Sequence, residues 1–284
     1  MEIVRSYKSL FDEIDFSTCA RNTSCLNLCK GVCTKYQKYD GSLGNVLQDL
    51  DKTLSSVTKG NFHLSKPKHF PLVMRLVMEP PRIIRSILDY KIEDPDDQST
   101  DILLKEALSL GLNIYKRKQE SLCELRNLKQ KIVDLKGREF LFRRVTQSLD
   151  QWTWKASNPA CSQSTVEHLD SILDKGDVLF IALGHGGISP GMDVFLRYCD
   201  MTGSQDSIFY ACRFSRAKWQ DQLPRLSSRD ISNLHEQGLG RQVVIFDEDV
   251  ATPGDGTLAR AKEFFIDRIF PGQYVFSQAN RYLN

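Results

Sequence analysis

The sequence predicts an α/β fold for its second half and a mostly α-helical domain before it. Two short apolar runs, Val178–Leu183 and Val243–Phe246, carry β-branched and aromatic residues between turn signals, the pattern of strands in a covered sheet. Each run is followed by a glycine-containing loop and then by an amphipathic stretch. The first half shows instead apolar residues spaced by three and four. These features divide the chain into 1–149 and 150–284.

In the first half, Val4, Tyr7, Leu10, Phe11 and Ile14 recur at helical spacing. Tyr39-Asp40-Gly41-Ser42-Leu43-Gly44 reads as a turn, and Val46, Leu50 and Leu54 as the buried face of a short helix. Residues 60–71, with Gly60, Pro67 and Pro71, read as irregular. Pro80 and Pro81 interrupt the next helical pattern, so a new helix is expected from Arg82 to Tyr90. An acidic loop, 92–98, precedes a helix capped by Ser99, Thr100 or Asp101. Leu122, Leu125, Leu128, Ile132 and Leu135 form a seam, and Phe140, Leu141, Val145 and Leu149 are expected to continue it past Gly137. The seam suits the inner face of a bundle, or a surface for a homodimer or protein partner. Lys116, Arg117, Lys118, Arg126, Lys129, Lys131, Arg138, Arg143 and Arg144 make this half basic. They read as a solvated face; nucleic-acid binding is a weaker alternative, since no interleaved aromatic pattern supports it.

The second half opens on Gln151-Trp152-Thr153-Trp154-Lys155, a strand or a packing joint. A helix capped by Ser164 or Thr165 runs to Leu173 and ends at Gly176. Then come the strand 177–183, the loop Gly184-His185-Gly186-Gly187-Ile188-Ser189-Pro190-Gly191, a helix over Met192–Tyr198, and a strand over 206–212. Ser228–Gln237 is a short helix, 243–246 the central strand, Leu258–Ile269 a helix, and 273–276 a last strand. Strands alternating with helices imply a parallel sheet. Ligands of such sheets bind at the carboxyl ends of the strands, where both glycine loops fall.

The chemistry concentrates between Gln242 and Phe265. Asp247, Glu248 and Asp249 follow the apolar run, and Thr252-Pro253-Gly254-Asp255-Gly256-Thr257 leads into the helix. Glycines let backbone N–H groups approach a ligand, and the helix N-terminus favours an anion. Threonine hydroxyls add donors. The acids suit sugar hydroxyls or a hydrated Mg²⁺. A phosphorylated sugar with a divalent cation satisfies both halves of the motif.

This stretch resembles the signature of the phosphoribosyltransferase family, in which an apolar strand, an acidic pair and a Thr/Gly-rich loop bind phosphoribosyl pyrophosphate. The resemblance covers roughly 150–284 and implies a parallel sheet of phosphoribosyltransferase type. It implies that Glu248 and Asp249 face the ribose, with Asp247-Glu248 as the pair in an alternative register. Thr252, Gly254, Asp255, Gly256 and Thr257 would hold the 5′-phosphate. Two departures accompany it: the loop is longer than usual, and Pro253 lacks an N–H. His185, Gly186 and Gly187 resemble the family's pyrophosphate loop, with histidine where arginine is common. Arg213, Arg216 and Lys218 fall where a mobile loop would carry cations over the pyrophosphate, and Tyr282 near the rim. The implied activity is Mg²⁺-dependent transfer of ribose 5-phosphate to a nitrogenous acceptor, with Mg²⁺ held through substrate and water. Other readings are a non-catalytic sensor of phosphoribosyl pyrophosphate or a nucleotide, and a nucleotide-targeting toxin or defence effector acting with a partner.

Ile245-Phe246-Asp247-Glu248-Asp249 also looks like the opening motif of haloacid-dehalogenase-type phosphatases. That family places its further motifs downstream, but only 35 residues follow Asp249, with Lys262 their single lysine and no second acidic pair.

Composition bounds these readings. With 41% apolar and 26% charged residues the chain can bury a core, and a net charge of +2 describes no polycation. No apolar run suits a membrane span, and the N-terminus lacks the apolar core of a signal peptide, so a cytoplasmic protein with reduced thiols is expected. Cys25, Cys29 and Cys33 lie four apart, near Cys19. The spacing is not the Cys-x2-Cys of zinc sites, so packing is expected over metal.

Overall fold

The computed structural model describes residues 7–14, 16, 38–59, 69–147, 151–174, 176–214, 224, 226–248 and 256–279. It divides into two compact units. One comprises the described residues of 9–90 and 97–158, the other those of 1–8, 91–96 and 159–284. Cys19, Cys25, Cys29 and Cys33 lie outside the described residues.

The first unit is helical with a small ribbon. Strand β1 (Tyr39–Ser42) pairs antiparallel with β2 (Arg144–Gln147), Tyr39 opposite Gln147. The turn expected at 39–44 is therefore a strand running directly into helix α1 (Leu43–Lys59), whose buried stripe is Leu43, Val46, Leu47, Leu50 and Leu54. Helix α2 (Phe70–Glu93) passes through Pro80 and Pro81 without stopping, so the expected break is corrected. Proline 81 has no N–H for the carbonyl four residues back. The buried Tyr115 hydroxyl donates to that carbonyl, on Val77, at 2.8 Å.

Helix α3 (Gln98–Tyr115) is capped by Asp97, which accepts from the Ser99 amide at 2.9 Å, rather than by the residues after it. Helix α4 (Ser121–Lys136) buries Leu125, Leu128 and Ile132, while Leu135 is exposed. Gly137 ends it at a φ of +81°, a conformation glycine adopts readily. The seam then stops. A 3-10 turn over Arg138–Phe142 and β2 follow, leaving Phe142 78% exposed while Phe140 and Val145 are buried. Gln151–Ala156 is a short helix, α5, where a strand or joint was expected; Trp154 stacks on Phe16 at 4.8 Å. Several of the basic residues face acids: Arg117 with Glu13, Arg126 with Asp51, Lys131 with Glu106 and Arg144 with Asp40.

The second unit is α/β. Helices α6 (Pro159–Ile172), α7 (Ile188–Thr202), α8 (Ser228–Gly238) and α9 (Thr257–Arg268) surround strands β3 (Val178–Gly184), β4 (Ile208–Arg213), β5 (Gln242–Asp247) and β6 (Val275–Ala279). The strands form one parallel sheet in the order β4-β3-β5-β6. Every residue of β3 is buried, as the continuous apolar run predicts for a strand covered on both faces. Alternation along the strands sends Leu179, Ile181, Leu183, Val243 and Ile245 to one face, against Leu234 of α8 and Ala261 and Phe265 of α9. Phe180, Phe209 and Phe246 pack on the other, where Phe195 of α7 lies 5.9 Å from Phe180 between ring centres. Gly191 admits α7 to this face: a β-carbon there would sit 3.1 Å from the Phe246 ring and 3.2 Å from Ala182.

Lys91 belongs to this unit and is buried against Asp230, Nζ to Oδ1 at 2.7 Å. The same Oδ1 accepts from the Tyr210 hydroxyl at 3.0 Å, and Oδ2 accepts from the Ser227 amide and hydroxyl, closing a capping box on α8. The buried carboxylate is thus supplied with donors on both oxygens.

Candidate functional site

In chain order the sheet runs outward from β3 in both directions, to β4 on one side and to β5 and β6 on the other. The crevice between the carboxyl ends of β3 and β5 is where an open α/β sheet binds ligands. The 185–187 turn and the acidic end of β5 lie there. Gly184 ends β3 and Asp247 ends β5, with Ala182 opposite Phe246 in the register just before them.

His185, Gly186 and Gly187 form the turn between β3 and α7, and the Gly184–His185 peptide is cis. Gly187 joins this turn to β5. A β-carbon on it would lie 2.7 Å from the Leu183 carbonyl, 3.1 Å from that of Phe246 and 3.2 Å from the Asp247 Cα. Two backbones therefore meet at a distance only glycine allows. Its N–H is already donated to the Leu183 carbonyl at 3.0 Å, so Gly187 serves the turn by its missing side chain rather than as an anion donor. Gly186 faces the acids: a β-carbon there would fall within the Glu248 carboxylate. The turn at 185–187 and the acids after β5 are thus in direct contact.

Asp247 is the last residue of β5 and 6% exposed; its Oδ1 accepts from the Glu248 amide at 2.9 Å. Glu248 is half-buried. Asp249, Thr252, Gly254 and Asp255 lie outside the described residues. Gly256 is buried and precedes α9 as its N-cap, and Thr257 begins the helix, also buried. The first turn of α9 reaches toward the same end of the sheet: the Arg260 guanidinium lies 5.7 Å from the Phe214 ring, and the Phe214 amide donates to the Gly184 carbonyl at 3.3 Å.

Arg213, expected in a mobile loop, is instead the last residue of β4, opposite Gly184 and 2% exposed. It is a fixed cation at the strand edge. Arg216 and Lys218 lie outside the described residues, as does Tyr282. Beside Arg213, burial pushes the Cys212 thiol far above its ordinary range, with Asp230 and Asp247 adding to the effect, so it stays a neutral thiol.

The sequence reading missed a buried acid in α7. Asp193 in α7 is fully buried; it accepts from the Tyr7 hydroxyl at 2.9 Å and from Arg197 Nε at 3.0 Å. The Tyr7 amide donates to Asp200 at 2.8 Å. A buried aspartate inside an apolar helix stretch, Met192 to Leu196, was the available signal, but its partner is remote in sequence.

Asp247 and Glu248 supply hard oxygen donors of the type Mg²⁺ accepts. Among the described residues no group of three or more His, Cys, Asp or Glu could hold a metal ion by itself. No helix among the described residues is long and apolar enough to cross a membrane. No protein-family model, curated protein or solved structure matches the chain.

Proposed function

We propose that the α/β unit is a phosphoribosyltransferase-type domain that takes phosphoribosyl pyrophosphate with Mg²⁺ and transfers ribose 5-phosphate to a nitrogenous acceptor. The observation that supports this reading is the meeting of the glycine turn with the acidic end of β5: Gly186 sits against Glu248, and Gly187 against Phe246 and Asp247, at the divergence of β3 and β5. A small-residue turn and an acidic strand end, held together at the carboxyl edge of a parallel sheet, suit the two parts of a phosphorylated sugar.

In the reaction the bond from the anomeric carbon to the diphosphate oxygen breaks, a carbon–nitrogen bond forms, and the acceptor nitrogen loses a proton. Negative charge gathers on the departing diphosphate and positive charge on the ribose ring. Arg213, rigid at the end of β4, and His185 offer positive charge or donors on the diphosphate side, while Glu248 and Asp247 face the ribose side. Mg²⁺ would offset charge on the diphosphate. Thr257 and the first turn of α9 would meet the 5′-phosphate, with the loop before them.

The test is pyrophosphate release by the purified chain from phosphoribosyl pyrophosphate, Mg²⁺ and a panel of nucleobases and amines. Release that depends on one acceptor supports the transferase; absence of release together with absence of donor binding removes the reading. A second reading, a non-catalytic sensor, is favoured by one feature: the Gly187 N–H is committed to the Leu183 carbonyl and so is not offered to a diphosphate. Tight donor binding without turnover for any acceptor would select it.

A further inference from the structure

Arg260 stands in the first turn of α9, its amide donated to the Gly256 carbonyl at 3.3 Å. A long side chain on a helix leans toward the helix N-terminus. For α9, which follows β5, that end is the carboxyl edge of the sheet. The guanidinium lies there: it is 5.7 Å from the centre of the Phe214 ring, and the Phe214 amide donates to the Gly184 carbonyl at the end of β3. The face of a ring attracts a guanidinium and leaves its N–H edges free to donate. Arg260 is half-buried, and its Nε is shielded from solvent without a hydrogen-bond partner. A shielded charged donor with no acceptor is costly, and an anion that reaches it removes the cost. Thr257, three residues earlier on the same flank of the helix, is 8% exposed, and its hydroxyl meets no partner among the described residues. Gly256, the N-cap, has no side chain to accept from the amides of the first turn.

Given the reading of this edge as a seat for a phosphorylated sugar, on which the inference rests, we propose that Arg260 is the cation that binds the 5′-phosphate. The first-turn amides and the Thr257 hydroxyl hold phosphate oxygens. Arg260, braced on Phe214, adds the full positive charge that a helix dipole and a hydroxyl lack. It is thereby the residue that selects a sugar phosphate over the free sugar.

The experiment is calorimetry on the full chain, Arg260→Met and Arg260→Lys. Ribose 5-phosphate probes this end of the seat, and inorganic pyrophosphate with Mg²⁺ probes the other. Methionine keeps an apolar stem over Phe214 and removes the charge, whereas lysine keeps the charge. Thermal melts without ligand show whether either change disturbs packing. The expected result is that Arg260→Met weakens ribose 5-phosphate about tenfold or more and Arg260→Lys weakens it less. Pyrophosphate affinity and the ligand-free melts stay near wild type. Equal ribose 5-phosphate affinity in wild type and Arg260→Met overturns the role of Arg260 and leaves the reading of the edge standing. So does a loss of affinity shared equally by pyrophosphate, or one accompanied by an early melt in both variants. Failure of the wild type to bind either probe overturns the reading of the edge, and the role of Arg260 with it.

Discussion

The hydroxyl of Tyr115 donates to the carbonyl of Val77 at 2.8 Å, in the interior of the helical unit. Val77 is the residue whose carbonyl Pro81 deprives of a helical partner, and this bond supplies a substitute donor. Replacement of Tyr115 by Phe leaves that carbonyl buried without the donor. The expected loss is about 1–3 kcal/mol of unfolding free energy, measured by urea titration. No loss would mean that the carbonyl is satisfied in another way.

Lys91 and Asp230 form a buried pair at 2.7 Å. Truncating one partner of such a pair leaves an uncompensated charge, so Lys91→Met is expected to cost about 3–5 kcal/mol. The double change Lys91→Met with Asp230→Asn is expected to recover part of that cost. Strict additivity of the two single changes would show that the charges are not coupled.

Glu79 predicts a pH dependence. It is buried beside Arg82, with Oε1 bonded to Arg82 Nη1 at 2.9 Å and Oε2 without a hydrogen-bond partner. Burial pushes its carboxyl from the ordinary 4.5 up to about 7, with Arg82 acting in the opposite direction. The folded state therefore holds a proton that the unfolded chain releases. The stability this contributes is fully present below pH 4.5 and is lost as pH rises toward 7. Across that window the loss from this group is about 3 kcal/mol, by linkage. Glu79→Gln is expected to flatten the dependence, so its stability relative to wild type rises between pH 5 and pH 7.5 by an amount on that order. A constant difference across the same range would contradict the assignment.

Gly187 is the point at which the 185–187 turn and β5 touch. A methyl group there would be held 2.7 Å from the Leu183 carbonyl, a backbone atom that cannot turn aside. Gly187→Ala is expected to destabilise the fold by about 1–3 kcal/mol. Gly191→Ala, whose nearest neighbours are the Phe246 and Ala182 side chains at 3.1 and 3.2 Å, is expected to cost less. Thermal melts of the two variants decide the order, and a larger loss at Gly191 would argue against the backbone contact.

The strands of the α/β unit were legible because their signal is local. Val178–Leu183 and Val243–Phe246 are continuous apolar runs, and the glycines after the first and the acids after the second mark where they stop. The ribbon of Tyr39–Ser42 with Arg144–Gln147 was not legible. Its strands are short and mostly unburied, and each depends on a partner about a hundred residues away. Pro80 and Pro81 misled for a similar reason, since a local rule for proline carries no knowledge of Tyr115. The candidate site divides along the same line. His185, Gly186, Gly187 and Glu248 could be chosen from sequence by residue type and order. The seating of Glu248 on Gly186, the fixing of Arg213 in β4 and the Tyr7–Asp193 hydrogen bond depend on distances that no periodicity encodes.

The account rests on the 185–187 turn and the acidic end of β5 forming one seat for phosphoribosyl pyrophosphate. The most direct measurement is the thermal melt of the full chain titrated with phosphoribosyl pyrophosphate and Mg²⁺, beside the same titration of Glu248→Ala. A melting temperature that climbs with ligand concentration in wild type, and climbs less in the variant, is the predicted result. A wild-type melt that does not move at any ligand concentration would contradict it.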